Sequence, residues 1–313
     1  MVNNDHILFV HIPKTAGTSF RIAAEEYFGK ENTFYDYSSK SDETSKEIID
    51  TIYSAKDPYQ FYEHIAKLDS SFLSGHFPVG KYAALYDTLN VVSFVRDPVE
   101  QVLSHYNHYK NHHAYEKGLK AFIKEPRFKN IQIKFLRQKN LALYGFLGVT
   151  EQYNTSIDLF NSVYDTDLPK IHINKTKKDS LEIEELDQKT LNLIQRMNTK
   201  DIVLYDAVRL QFEVRKNLYA NNQPFTHGFI QKITEDQISG LAFQRESDES
   251  VEIDIYKGDD YLETVQAKNF RAGQVHRNIS RKGFIGFDYL YEEDDVLDDK
   301  FHAFVKITGQ EIV

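Results

Sequence analysis

Cysteine is absent from this chain, which excludes disulfide cross-links and thiolate–metal centres and is compatible with a reducing compartment. No run approaches about 18 consecutive apolar residues, so no membrane span is expected. Residues 1–9 carry neither the basic segment nor the long apolar run of a secretory signal, and a cytoplasmic location is the expectation. Positive charge is scarce. With 38 Lys+Arg against 47 Asp+Glu the net charge is −9, which argues against broad nucleic-acid binding. A polyanionic ligand must therefore find a local basic pocket. What is present, 41% hydrophobic and 27% charged residues over 313 positions, is the make-up of a soluble globular chain with one large or two modest domains.

The densest chemistry lies in His11-Ile12-Pro13-Lys14-Thr15-Ala16-Gly17-Thr18-Ser19. Ile7–Val10 before it reads as a buried strand. Phe20, Ala23, Ala24, Tyr27 and Phe28 after it form the stripe of a helix packed on one face. The segment between is therefore a strand-to-helix turn. Gly17 permits close backbone approach, Thr18 and Ser19 are candidate caps, and Lys14 adds a positive charge. Unpaired N–H groups and the positive end of the helix dipole make such a turn an anion site, above all for phosphate. The Walker A order is missing, since Lys14 comes three residues before the only glycine of the segment. An ordinary strand–helix turn with a surface lysine is the plainer reading.

Two further strand exits carry polar groups. Ser71–Gly75 reads as a strand that ends at His76 and is stopped by Pro78. A histidine at the C-terminal edge of an α/β sheet lies where ligands bind, and its ordinary pKa suits general-base work on a hydroxyl. Val91–Val95 reads as a second buried strand ending in Arg96-Asp97-Pro98, with Pro98 in the first turn of a helix that carries Ser104. The guanidinium fork of Arg96 with the Ser104 hydroxyl is a receptor for a terminal phosphate; a pairing of Arg96 with Asp97 or another carboxylate competes with that reading.

Taken together, these segments resemble the sulfotransferases that use 3′-phosphoadenosine-5′-phosphosulfate (PAPS). Pro13-Lys14-Thr15 through Thr18-Ser19 resembles their 5′-phosphosulfate loop, and Phe94-Val95-Arg96-Asp97-Pro98 through Ser104 their 3′-phosphate segment. Gly75-His76 ahead of Arg-Asp-Pro is similar to the hexuronic 2-O-sulfotransferases acting on heparan and dermatan chains, in which the matching histidine is the proposed base. The resemblance implies an α/β, P-loop-like domain with a central parallel sheet flanked by helices. It implies PAPS as donor, no metal, and a hydroxylated, carbohydrate acceptor. His76 and Lys14 are the implied catalytic pair; Lys14, Thr15, Ala16, Gly17, Thr18, Ser19, Arg96 and Ser104 are the implied donor site. Glu25, Glu26 and Glu63 leave open the glutamate base that some sulfotransferases use. Lys175 and Thr176, after a short strand expected at 171–173, match the loop that closes over the nucleotide in the resembling enzymes.

Between Lys110 and Lys139 seven lysines and two arginines face only Glu116 and Glu125, a net of +7 in an acidic protein. This reads either as an arm that gathers an anionic acceptor such as an acidic glycan, or as a solvated helical face. His105, His108 and His112 share a helix face without the Glu-x-x-His pattern of a metal site. Leu191, Ile194 and Met197, then Ile202, Tyr205, Val208 and Leu210, mark two late helices. Around residue 222 the periodicity changes toward two, and 223–313 reads as a small all-β, sandwich-like domain after a 1–222 catalytic domain. Ala267–Arg271 with Gly283–Phe287 resembles a β module appended to bacterial glycosyltransferases and sulfotransferases, which implies a bacterial source. Two other functions stay open: a P-loop kinase or phosphotransferase, and a non-catalytic glycan-binding protein.

Overall fold

The computed structural model describes residues 6–137, 140–173, 180–245, 247–277, 279–290 and 300–313. Strands β1 (His6–Val10), β2 (Thr33–Asp36), β3 (Ser71–Gly75), β4 (Val91–Val95) and β5 (Phe146–Val149) make one parallel sheet in the order β2-β3-β1-β4-β5. Ile7, Leu8, Phe9 and Val10 of the central strand are all fully buried. An unbroken apolar run of this kind belongs to a parallel strand covered on both faces. The covering helices are α1 (Gly17–Phe28), α2 (Lys46–Ile48), α3 (Pro58–Ile65), α4 (Pro98–His112), α5 (Leu119–Lys124), α6 (Ile131–Leu136), α7 (Tyr153–Tyr164), α8 (Gln188–Met197) and α9 (Thr199–Ala220). Phe20 of α1 sits edge-on to Phe9 at 4.7 Å and meets Phe160 of α7 at 5.1 Å, so an aromatic core joins both layers. The order of strand addition switches sides at β1, with β2 and β3 to one side and β4 and β5 to the other, and ligands bind outside the carboxyl ends of strands at such a switch.

Three expectations are corrected. Thr33–Asp36, inside the polar stretch 31–46 whose serines, acids and lysines read as a loop, forms the edge strand β2, with Phe34 and Asp36 buried. Residues 171–173, expected as a strand, are irregular. On α9 the buried line is Leu204, Val208, Phe212 and Arg215, while Leu210 is 64% exposed. The buried line advances by four, four and three from Leu204, which leaves position 210 on the opposite side of the helix.

Beyond α9 the chain forms β6 (Thr226–Ile233), β7 (Gln237–Gln244), β8 (Glu252–Lys257), β9 (Asp260–Gln266), β10 (Asn269–Phe270), β11 (Phe284–Leu290) and β12 (Phe301–Val305). They build two antiparallel sheets, β10-β11-β7-β6 and β12-β8-β9. Alternation along β7 explains the layering. Ile238 and Ala242 share a core with Ile253, Ile255 and Val305 of the second sheet. Leu241 and Phe243 point the other way and cluster with Leu89 and Leu143 of the α/β part. Alternation at 251–256 and 261–265 around the turn at 257–260 reads as a hairpin, and Phe284, Phe287 and 301–306 as further short strands; β8–β9, β11 and β12 stand there. The β6–β7 hairpin was not foreseen.

Candidate active site

The loop after β1 ends with two non-glycine residues in the left-handed region just ahead of α1, Lys14 at φ 70° and Ala16 at φ 63°. Positive-φ residues turn successive N–H groups into a concavity suited to anions. Ala16 is the residue just before α1 and makes no side-chain cap. Thr18 and Ser19 are already inside the first turn, past the capping position, so the expected cap is not formed. The Ser19 hydroxyl instead accepts a hydrogen bond from the Ile173 backbone N–H at 3.2 Å. Thr15 is fully buried, and its hydroxyl donates to the Ile12 carbonyl at 2.9 Å. Gly17 has a further role beside the one expected. A Cβ there would lie 2.1 Å from Cδ2 of His11, so the glycine admits an imidazole rather than only a ligand.

His76 follows the last residue of β3, where its N–H continues the parallel ladder to the Asp36 carbonyl at 3.1 Å. Its Nδ1 lies 2.7 Å from the His11 carbonyl oxygen. A carbonyl can only accept, so Nδ1 carries the proton and Nε2 the lone pair. The ring centroids of His11 and His76 are 4.5 Å apart, and Tyr37 packs edge-on to His76 at 4.8 Å. His76 is exposed through the face it turns to the cavity, while protein surrounds its other sides. Burial lowers its pKa below the usual 6.5, the His11 carbonyl partly offsetting this, with the positive charges of Arg21 and Lys14 adding to it. Imidazole is the resting form at neutral pH.

Arg96 leaves β4 with its backbone fixed twice by Gln132, which accepts from the Arg96 N–H at 2.9 Å and donates to its carbonyl at 2.8 Å. One guanidinium nitrogen reaches the Lys14 carbonyl at 3.4 Å and another pairs with Glu100 at 3.0 Å. Nε is buried without a hydrogen-bond partner. The competing carboxylate is thus Glu100, one turn along α4, and not Asp97. Asp97 caps α4 by accepting from the N–H groups of Val99 and Glu100 at 2.9 and 3.1 Å, a contribution of about 1 kcal/mol. Gln101 donates to the Pro13 carbonyl at 3.0 Å, tying α4 to the loop.

The loop after β1, His76 and Arg96 border one cavity of about 960 Å³. Lys14, Ala16, Gly17, Thr18, Ser19, His76, Arg96 and Ser104 line it, so three separate strand exits converge as expected. Thr15 is not among the lining residues, and Lys175 and Thr176 lie outside the described residues. Glu25, Glu26 and Glu63 do not line the cavity either; Glu25 accepts from the Tyr35 hydroxyl instead. The far wall is Leu181 and Glu182, clamped to α4 where Asn107 exchanges hydrogen bonds with both backbone groups of Leu181 at 3.0 and 3.1 Å. His11, Glu100, Gln101, Asn107 and Gln132 were missed in the sequence. Buried glutamines on amphipathic helices carry no local signal, but His11 sits inside the motif itself.

The three histidines of α4 do not act together. His105 is buried against Phe122 and Phe128, with Nδ1 lacking a hydrogen-bond partner and its pKa pushed down to about 3 by burial. His108 lies 3.3 Å from His113. Among the described residues no group of His, Asp or Glu is disposed to hold a metal ion. The +7 segment spreads over α5, α6 and their loops, with Lys120 paired to Asp187 and Arg127 to Glu125. Its Lys117 and Arg127 border a second groove that shares Tyr109 and His113 with the main cavity. Among the described residues no helix is long and apolar enough to cross a membrane.

Fold and site define a P-loop-like α/β protein in which a strand-to-helix loop, an arginine and a neutral histidine face one cavity. The profile of the Sulfotransferase family matches residues 1–206, and the chain belongs to that family. Among solved structures it is similar to a sulfotransferase from Alicyclobacillus acidocaldarius, at 10% identity and a TM-score of 0.37 over 64% of this chain and 94% of that one. It is also similar to a retinol dehydratase in complex with androsterone and the inactive cofactor PAP, at 12% identity and a TM-score of 0.30 over 64% and 66%. No curated protein matches the chain.

Proposed function

We propose that the chain transfers the sulfuryl group of PAPS to a hydroxyl of a carbohydrate acceptor. The observation that carries this reading is the His76 tautomer: Nδ1 is committed to the His11 carbonyl, in a cavity shared with the anion loop and Arg96. The residues present fit the donor. Lys14 and the loop N–H groups of residues 15–19 would hold a 5′-phosphosulfate, and Arg96, whose buried Nε lacks a partner, would hold the 3′-phosphate with Ser104. When bound, the donor supplies an electrophilic sulfur on a phosphate leaving group.

His76 Nε2 takes the acceptor hydroxyl proton as that oxygen forms its bond to sulfur and the bond from sulfur to the phosphate oxygen breaks. Lys14 and the loop N–H groups stabilise the negative charge left on that oxygen, a preorganised contribution that dominates group transfer. The excess of lysine and arginine over residues 110–139 is what supports an acidic glycan as acceptor; the groove past Tyr109 and His113 carries Lys117 and Arg127 beside Glu116 and Glu125. The same reading places the catalytic unit in 1–222, a smaller accessory unit in 223–313, and the enzyme in the cytoplasm.

Calorimetric titration tests the donor site. Adenosine 3′,5′-bisphosphate should bind in the micromolar range, AMP and ATP far more weakly, and Arg96→Ala should lose about 10-fold or more in affinity for the bisphosphate alone. ATP binding as well as the bisphosphate would overturn the reading in favour of a kinase.

A further inference from the structure

The backbone ladder of β4 ends at Val95, opposite Val149 of β5. Past that point side chains take over the polar groups of the two peptide units that flank the Arg96 Cα. The Val95 carbonyl accepts from the Thr150 hydroxyl at 2.9 Å, and the Asp97 N–H donates to Glu151 Oε1 at 2.8 Å. Between them, the single amide of Gln132 holds both the N–H and the carbonyl of Arg96. Gln132 is fully buried. A buried amide is costly unless it is hydrogen-bonded, and this one is spent on a single residue.

Both holding side chains are in turn fixed to α9. The Gln132 N–H donates to Asp201 Oδ2 at 3.0 Å and the Ile133 N–H to Oδ1 at 2.8 Å, with Asp201 itself buried. The other oxygen of Glu151 accepts from the Tyr205 hydroxyl at 3.1 Å. The Arg96 side chain has little else to direct it. Nη1 reaches the Lys14 carbonyl only at 3.4 Å, Nη2 pairs with Glu100, whose side chain is 41% exposed, and Nε has no partner. An ion pair so exposed holds little. The aim of the guanidinium is therefore set from its backbone.

We propose that Gln132 and Glu151 are positioning residues of the anion site, which fix the two peptide units around Arg96 and so set the preference for a ligand carrying a 3′-phosphate. Neither residue lines the cavity, so each acts through Arg96. Two-pronged bonding of a phosphate needs both N–H groups of the fork in place, and a small turn of the backbone forfeits one of them. The inference rests on the donor reading given above.

The test is calorimetric titration of the full chain with adenosine 3′,5′-bisphosphate and with AMP. Gln132→Met, of similar length but without the two hydrogen bonds, should weaken bisphosphate binding by about 10-fold and leave AMP affinity unchanged. In an Arg96→Ala background the same change should have no further effect. A merely loosened fold would weaken both ligands in both backgrounds. Because Gln132→Met risks the fold, the exposed Glu151 provides a second arm, which decides if that variant does not fold. Glu151→Ala should weaken the bisphosphate by about 3-fold, while Glu151→Gln, which keeps an acceptor for the Asp97 N–H, should bind as the wild type does. A pure charge effect would move both Glu151 variants alike, and overturns the role of this residue. With the donor reading intact, the inference fails if folded Gln132→Met binds the bisphosphate as the wild type does, loses AMP equally, or adds its effect to Arg96→Ala. It fails equally if Glu151→Ala is silent. No bisphosphate binding by the wild type, or binding indifferent to Arg96→Ala, overturns the donor reading and this inference together.

Discussion

At the scale of single residues, His76 is held ready by one bond. The His11 carbonyl 2.7 Å from Nδ1 selects the tautomer with a free lone pair on Nε2, and burial keeps the ring neutral by lowering its pKa below 6.5. A general base works only when deprotonated. Sulfuryl-transfer kcat/KM should therefore be flat through pH 7–8 and fall as pH drops through a midpoint below 6.5. His76→Gln keeps a donor for the His11 carbonyl but removes the base, and should lower kcat by about 100-fold or more with bisphosphate affinity little changed. A pH–rate profile and calorimetry on the same variant check both halves; unchanged kcat in His76→Gln would remove this histidine from the chemistry.

At the scale of elements, the loop between β1 and α1 works because β3 and β4 end beside it. Gly17 links them: its missing Cβ admits the His11 ring, and His11 holds His76. Gly17→Ala must shift either the ring or the helix start, at a stability cost of about 1–3 kcal/mol. It should also lower kcat by about 10–100-fold through misplacement of the base, and thermal melts with steady-state kinetics measure the two effects. The strand exits were legible in the sequence because 7–10 of β1 is a continuous apolar run, β4 is apolar but for Ser93, and their flanking residues carry motifs. What the sequence hid depends on long-range placement. Gln132 fixes Arg96 across 36 positions, and Gln101 reaches back 88 positions to Pro13. β2 was hidden because a short edge strand among serines and lysines has little periodicity to read. That Gly17 also makes room for His11 was hidden because the sequence cannot say which neighbour an absent side chain admits.

At the scale of the whole molecule, buried neutral histidines and the joint between the two parts govern stability. Burial lowers the pKa of His11, His105 and His227, the His105 value to about 3. The unfolded chain titrates these groups near 6.5 and so binds more protons below that pH. Their contribution is fully present above 6.5 and is lost progressively as pH falls toward the folded values. The thermal midpoint should thus be level from pH 7 to 8 and decline from 6.5 to 5. His105→Phe, which fits an aromatic setting and removes the unpartnered Nδ1, should make that decline shallower; an unaltered slope would count against it. The joint is a harder test. Leu241, Phe243 and Ile285 of the β sheets cover Leu89 and Leu143 of the α/β part, and Arg245 donates to the Leu89 carbonyl and Asn90. Ending the chain at 222 removes those partners, at about 1.5–3 kcal/mol for each apolar side chain fully uncovered. Full-length protein should melt in one transition by calorimetry, and the 1–222 fragment at a lower temperature or into aggregates. Two separate transitions, with the fragment melting at the temperature of one of them, would mean that the β sheets ride on the α/β part without supporting it.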